Sequence, residues 1–326
     1  MIRARLLEPD APPTDLDGTA WLEIGADDRK LLWVEAEAPS ADELDLITRR
    51  FDVAPHAIEL LRRPNRRPKV RTYRDLFLVV TLAVDVHELE KGSPRIEVVE
   101  IDVLVGLNFL VSIRKRARAL PYTDELDARI STNPYIGRLH GAYLLYMLLD
   151  TIVGTYAREF DEVEDRVERL EEQMLREPGR AALDQATVMK RHIINLRRLI
   201  SPHREAFGVL AAADIPLIEE EHVRDYFHDL LEHLDDFVER LDHARDVLAG
   251  AYNLYISNIS QRTNQELRVL TFLSAVLLPM SVIAGLFGTN FALAEYQYAE
   301  PFWVMLAGMG VLAAGMLAFM RWQRWL

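Results

Sequence analysis

The stretch Val269–Asn290, VLTFLSAVLLPMSVIAGLFGTN, constrains this chain more than any other, because it is a nearly unbroken apolar run of 22 residues. A helix needs about twenty such residues to cross a hydrocarbon core. Within that core every backbone polar group must be satisfied inside the protein, which leaves a lone segment no choice but helix. The run closes on Gly288-Thr289-Asn290, a small polar tripeptide where a spanning helix would reach the far surface. A second apolar segment, Phe302–Met320, follows a short linker, and RWQRWL comes after it. The expected architecture is a soluble front end tied to a two-helix hairpin in a lipid bilayer.

Flanking charges orient that hairpin. Arg262 and Arg268 precede the first span and Arg321 and Arg324 follow the second, while the linker FALAEYQYAEP carries Glu295 and Glu300 and no Lys or Arg. Positive residues stay on the cytoplasmic side, so both termini are expected in the cytoplasm and the linker outside a cell (inner) membrane. Trp303, Trp322 and Trp325 lie near the ends of the second span, where interfacial aromatics belong. The opening MIRARLLEPDAPPTDLDG lacks the apolar core of a signal peptide. Net charge is −13, which argues against nucleic acid as a partner. The absence of cysteine excludes a disulfide framework and any thiolate metal site.

Taken in order, residues 1–18 read as a flexible lead and 19–121 as a cytoplasmic α/β domain. Trp21–Ile24 and Leu31–Glu35 are short β-type runs. Ser40 or Asp42 can cap a helix whose apolar residues Leu44, Ile47 and Phe51 fall at helical spacing. Val53–Leu61 makes another, opened by Pro55. Leu76–Val86 is a continuous apolar run suited to a buried strand, and Glu97–Val105 and Asn108–Arg114 follow around Gly106-Leu107. The sheet is predicted to be mostly antiparallel, with five to seven strands, giving an α+β cytoplasmic domain beneath long stalk helices. Residues 122–215 read as a helical hairpin. Its first helix is His140–Glu177; its second, Leu183–Phe207, is interrupted at Ser201-Pro202.

The next helix begins near Pro216 and meets no breaker before Gly250. Val223, Phe227, Leu230, Leu234, Phe237, Leu241, Ala244, Leu248 and Ala251 alternate in steps of four and three, a heptad seam. Residues 216–268 are thus a stalk that runs on into the first span, 269–290. At 1.5 Å per residue such a rod would be on the order of 100 Å long, and it is expected to bundle with copies of itself. Four-three stepping carried along the rod reaches Asn253, Ser257, Ser260, Asn264, Leu267, Thr271, Ser274, Leu278, Ser281, Gly285 and Gly288. One reading is close helix packing through small and hydroxyl residues. The other is a pore on the axis of a symmetric assembly, which the amides favour because amides facing only other copies are costly without water. Neutral oxygens suit a hydrated cation, since Mg2+ releases its water shell reluctantly. Leu267 and Leu278 would be apolar constrictions able to gate by dewetting.

The block PMSVIAGLFGTNF, with the second span and basic-aromatic tail after it, resembles the CorA family of divalent-cation transporters. So do AYLLYMLLD, LEE-x-x-L at Leu170–Leu175, LRR-x-I-x-P-x-RE at Leu196–Glu205 and SN-x-x-x-x-TN at Ser257–Asn264. The resemblance implies a homopentameric funnel with the pore along the first span and the second span (302–320) as an outer ring. The loop is then 291–301 and the tail 321–326. By the same resemblance Gly288, Thr289 and Asn290 form the outer selectivity ring and Asn264 a polar constriction. Leu270 and Leu278 become gates, and Ser281 a hydroxyl-lined step. Leu270 lies one step off the stripe. Inhibition by cytoplasmic Mg2+ held between subunits is also implied, with Asp229 and Asp85 as its carboxylates.

Two departures from the family pattern bear on the ion. Thr289 stands where Gly-Met-Asn has Met, and Ala-Glu-Tyr replaces the usual Met-Pro-Glu of the outer loop. The expectation is Mg2+ as substrate and regulator, with no prosthetic group and no enzymatic activity. Zn2+, Co2+ or Ni2+ transport, with or without proton coupling, is the alternative. A membrane-anchored oligomeric sensor or scaffold is the reading from another class. No Gly-rich phosphate loop is present, so transport is expected to run down existing gradients. The basic run Arg62, Arg63, Arg66, Arg67, Lys69, Arg71 and Arg74 is expected to be a salt-bridged surface, and His228 and His233, five apart, make a poor zinc pair.

Overall fold

The computed structural model describes residues 1–24, 30–65, 67–88, 94–116, 121–133, 140–176, 179–212, 215, 217–218, 221–288 and 300–322. They form two compact units, Met1–Gly250 and Ala251–Leu326.

The first unit is built on a seven-stranded sheet: β1 Ile2–Leu7, β2 Thr14–Leu16, β3 Leu31–Glu37, β4 Lys69–Thr72, β5 Phe77–Glu88, β6 Pro94–Val105 and β7 Phe109–Arg114. The strand order is β2-β1-β3-β7-β6-β5-β4. Every pair is antiparallel except β3 with β7, where Val34 meets Val111. The lead expected at 1–18 is instead the β1–β2 hairpin that extends this sheet. Ala4 and Leu7 are buried, and Arg5 forks onto Asp127 with N–O distances of 2.6 and 2.8 Å. That opening looked mobile because its apolar residues alternate with arginines, and the arginines found carboxylates only in the folded sheet. Trp21 lies in a 3-10 turn, Ala20–Leu22, rather than in a strand, and its ring packs on Phe51.

Helices α1 (Ala41–Arg50) and α2 (Pro55–Arg62) cover one face of the sheet. Ser40 caps α1: its Oγ accepts the Glu43 N–H at 3.2 Å, and the Glu43 carboxylate accepts the Ser40 N–H at 2.8 Å. This reciprocal box satisfies two of the donors a helix start leaves open. Pro55 opens α2 at its first position, where a missing N–H costs nothing. Leu44, Ile47 and Ala57 then bury against Leu78, Val80 and Leu104. The opposite face carries α3 (Pro121–Thr132), α4 (Gly141–Arg176) and α5 (Arg180–Ala211). Helices on both faces explain why β5 reads as a continuous apolar run.

Helix α5 is unbroken across Ser201-Pro202, contrary to the expected interruption. Pro202 takes one bond from the carbonyl of Arg198, but that carbonyl belongs to an exposed residue. Ile200 and His203, fully buried on the other side, hold the helix onto the sheet.

The last two helices are α6, Glu221–Gly288, which runs without a break through Gly250 and Pro279, and α7, Glu300–Trp322. The heptad seam on α6 is buried within the chain. Phe227 sits edge-on to Tyr146, Phe237 packs tilted against Phe160 with ring centroids 4.4 Å apart, and all nine seam residues from Val223 to Ala251 are buried. Arg240 bridges to Asp161 and Glu164 of α4 at 2.7 and 2.6 Å, and Arg197 and Arg204 of α5 reach Asp242 and Asp235. The seam therefore joins α6 to its own α4 and α5 and is not the surface on which copies of this helix would bundle.

Candidate functional site

The polar stripe occupies a different face of α6 from the seam. The seam's phase runs from Ala251 to Tyr255, which is buried, whereas Asn253 and Ser257 are exposed. An offset of two residues turns the direction by about 200° at 3.6 residues per turn. The stripe is thus no continuation of the seam but a second four-three track on nearly the opposite side. Sequence reasoning merged the two because both share one period, and period carries no phase.

Within the second unit, Asn264, Leu267, Thr271, Ser274, Leu278, Ser281, Gly285 and Gly288 are all exposed, as is Ser260. Partial shielding falls instead on Phe272, Ala275, Val276, Pro279, Met280 and Ile283, which form one helical face. On α7 it falls on Met305, Met309, Leu312, Ala313 and Met316, again one face, with Met320 buried. The shielded face of α6 points roughly opposite to the stripe on the same 3.6-residue reckoning. Pro279, which deprives the Ala275 carbonyl of a donor, lies on the shielded side.

Two of the stripe's five hydroxyls, those of Thr271 and Ser281, bond back to their own helix. Thr271 Oγ1 donates to the Leu267 carbonyl at 2.7 Å, and Ser281 Oγ donates to the Leu277 carbonyl at 2.8 Å. Each proton is committed to the helix, and the oxygen lone pairs remain on the outer side. At these two positions the helix presents acceptors outward, which suits a cation and its water. Leu278 and Leu270, the two expected gate positions, are 66% and 60% exposed. Thr289, Asn290 and Glu295 lie outside the described residues, as does the side chain of Glu300. Only Gly288 of the expected entrance ring is described.

Of the two carboxylates expected to hold a regulatory ion, Asp229 is exposed on α6. Burial, Asp150 and Tyr143 push the Tyr146 hydroxyl up to about 12, with a smaller contribution from the Asp229 charge. Asp85 pairs in register with Glu97 on β6, but its side chain lies outside the described residues. Among the described residues no group of three or more His, Asp or Glu could hold a metal within one chain. His228 and His233 are both exposed. Three members of the basic run form salt bridges, Arg62 to Asp45, Arg63 to Glu59 and Arg67 to Glu205, and Lys69 donates to the Asn65 side chain.

Among the described residues two helices are long and apolar enough to cross a membrane, an 18-residue stretch averaging a mean hydropathy of 2.2 within His222–Leu286 and 2.0 within Trp303–Trp322. A family model described as "CorA-like Mg2+ transporter protein" matches residues 28–321. The chain is 29% identical over 282 residues to the cobalt/magnesium transport protein CorA of Thermotoga maritima, covering 85% of this chain and 78% of that one. It is 24% identical over 225 residues to the zinc transport protein ZntB of Yersinia enterocolitica, covering 69% and 66%. The complete structure of the CorA magnesium transporter from Methanocaldococcus jannaschii superposes with a TM-score of 0.80 at 21% identity, covering 100% and 99%.

Proposed function

This chain belongs to the CorA-like Mg2+ transporter family and is a membrane transporter of divalent metal ions, and from that premise we propose that it admits Mg2+ through a pore formed where copies of α6 meet. The observation that carries this reading is the exposed polar stripe on the side of α6 away from its shielded face. A single helix has no use for such a surface in lipid, where exposed polar groups are costly. A symmetric ring, a homopentamer on the family pattern, turns the stripe inward around a column of water. Family membership leaves the membrane-anchored scaffold without support.

Hydrated Mg2+ enters at Gly288-Thr289-Asn290, with Glu295 and Glu300 drawing cations toward the mouth. It passes the apolar ring at Leu278, the oxygen of Thr271, the apolar ring at Leu270 and the amide of Asn264, and leaves past Ser260, Ser257 and Asn253. The protein sits in the cell (inner) membrane with both termini cytoplasmic. The membrane potential alone supplies about 4.6 kcal/mol for two charges per 100 mV. Asp229 and Asp85 of neighbouring copies close around a cytoplasmic divalent ion and stabilise the closed ring; without it the carboxylates repel and the ring loosens. Zn2+ is the second reading, favoured by Thr289 in the entrance tripeptide and by the zinc-transporting relative.

Flux into liposomes containing the purified protein tests both. Mg2+ entry that rises with an inside-negative potential and is lost in Asn290→Ala is the expected result. Passage of no divalent ion, with Asn290→Ala indistinguishable from the parent, would sink the transporter reading. Zn2+ entry exceeding that of Mg2+, compared with and without a pH gradient, would reassign the ion.

A further inference from the structure

On the sheet face that packs under α1 and α2, β6 places Glu100, Asp102 and Leu104 at alternate positions on one side. Leu104 joins the apolar core there, as do Val80 and Ile113, the register partners of Asp102 on β5 and β7. Asp102 is a carboxyl in that company, with no solvent exposure. Lys115, just past β7, brings its Nζ within 2.8 Å of Asp102 Oδ2 and 3.1 Å of Glu100 Oε1. The same ammonium donates to the Leu60 and Arg63 carbonyls at 3.2 and 2.5 Å, where α2 ends. Glu100 also accepts the Asn65 N–H at 2.7 Å, and Lys69 donates to the Asn65 side chain at 2.6 Å.

Valence decides how this cluster is protonated. An ammonium has three protons to give, and Lys115 stands against four acceptors. Its bonds to Leu60 and Arg63 satisfy carbonyls that a helix end leaves open. Asp102 is the acceptor left over: neither of its oxygens receives an aligned hydrogen bond among the described residues. A bare carboxylate in an apolar core is costly, and a proton removes that cost. The Glu100 carboxylate lies near enough to accept a hydrogen bond from a protonated Asp102. Burial pushes the Asp102 carboxyl up to about 7, with Lys115 opposing and Glu100 adding to the rise. The charged groups facing it are Glu100 on its own strand, Lys115 beyond β7, and Lys69 of β4, which feels Asp102, Glu100 and Arg71. From α2 comes the Leu60 carbonyl, while Arg62 and Arg63 pair with Asp45 and Glu59. Arg66 of the following loop lies outside the described residues.

We propose that Glu100 and Asp102 hold one proton between them at neutral pH, and that its release works a pH-sensitive latch on the end of α2. With the proton in place Asp102 donates to Glu100, and Lys115 keeps its hold on the Leu60 and Arg63 carbonyls. On release the proton passes to water, and the new carboxylate competes for the Lys115 ammonium. The two carbonyls then lose a donor, and the loop between α2 and β4 loosens from the sheet.

Two measurements on the detergent-solubilised full chain test it. Infrared spectra should show the carbonyl band of a protonated carboxyl at about pH 6 that is lost by about pH 8, where ordinary carboxyls are ionised throughout. Its midpoint should lie near 7, and the band should be missing from Asp102→Asn. Glu100→Gln, which removes the neighbouring charge, should move the midpoint down by about one pH unit. For the latch, Pro64→Cys places a thiol at an exposed loop position in a chain without cysteine, and a nitroxide is attached to it. Its EPR spectrum should shift to faster motion between the same two pH values, and should stay unchanged between them when Asp102→Asn is added. Absence of a titrating carboxyl band from the parent overturns the shared proton, whether or not any variant folds. A band that persists in Asp102→Asn, or an unmoved midpoint in Glu100→Gln, overturns its assignment to this pair. The same pH response of the label with and without Asp102→Asn overturns the latch.

Discussion

His203 on α5 accepts the backbone N–H of Leu82, at the middle of β5, through Nε2 at 3.1 Å. Its Nδ1 lies 2.7 Å from the Leu199 carbonyl, which can only accept, so the proton sits on Nδ1. Tyr156 on α4 donates its hydroxyl to the carbonyl of the same Leu82. The neighbouring strand β4 ends its pairing at Val80, so the next outward backbone groups of β5 have no strand beside them. Two helical side chains continue the ladder in its place. Buried backbone groups must be paired, and here the pairing fastens α4 and α5 to the sheet.

Burial pushes the His203 pKa down to about 4, the two backbone hydrogen bonds opposing it. The unfolded chain takes up its proton near 6.5, so between these values the unfolded state binds more protons and stability rises with pH. His203 therefore favours the fold fully above about pH 6.5, and that contribution falls away as pH drops toward 4, by on the order of 3 kcal/mol. His203→Gln keeps an acceptor for Leu82 without a titrating group. Thermal melts across that window should show a flatter pH dependence for the variant. Parallel profiles for the two proteins would refute the assignment.

Gly141 starts α4 against the β6–β7 turn, its N–H donating to the Leu107 carbonyl at 2.9 Å. A Cβ there would stand 2.4 Å from the Gly106 carbonyl oxygen and 2.7 Å from that of Phe109, both backbone atoms that cannot turn aside. Gly141→Ala is expected to cost about 2–3 kcal/mol through overpacking and to lower Tm. Gly154→Ala, on the same helix with nothing within 4 Å of the added carbon, should gain up to about 1 kcal/mol. Equal responses at the two sites would show that the turn yields to α4.

The chain has no cysteine, so single cysteines report without background. Placed at Ser274, Leu278 or Ser281, a thiol should react with a charged, membrane-impermeant thiosulfonate in liposomes. Placed at Val276, Met280 or Ile283, on the shielded face, it should react at least about tenfold more slowly, because attack requires an accessible thiolate. Similar rates on both faces would remove the water column from the stripe.

Much of this was legible in residues alone. The two spans, the capped start of α1, the buried β5 run and the resemblance carried by PMSVIAGLFGTNF needed no coordinates, because burial, capping and membrane crossing depend on local pattern. The β1–β2 hairpin was missed for a physical reason: Arg5 reads as solvated until Asp127, 122 residues away, arrives to pair with it. Pro202 reads as a break until burial of its neighbours outweighs one lost hydrogen bond.

The long helix divides the same way. Periodicity along the sequence determined that α6 is a single helix with four-three tracks, since that period is a property of the helix itself. Only tertiary structure decided what each track faces. The apolar seam is consumed by the chain's own α4 and α5, and the polar stripe, two residues out of phase, is left uncovered. A two-residue offset is invisible to a period but turns a side chain through about 200°, from a filled core to an open surface.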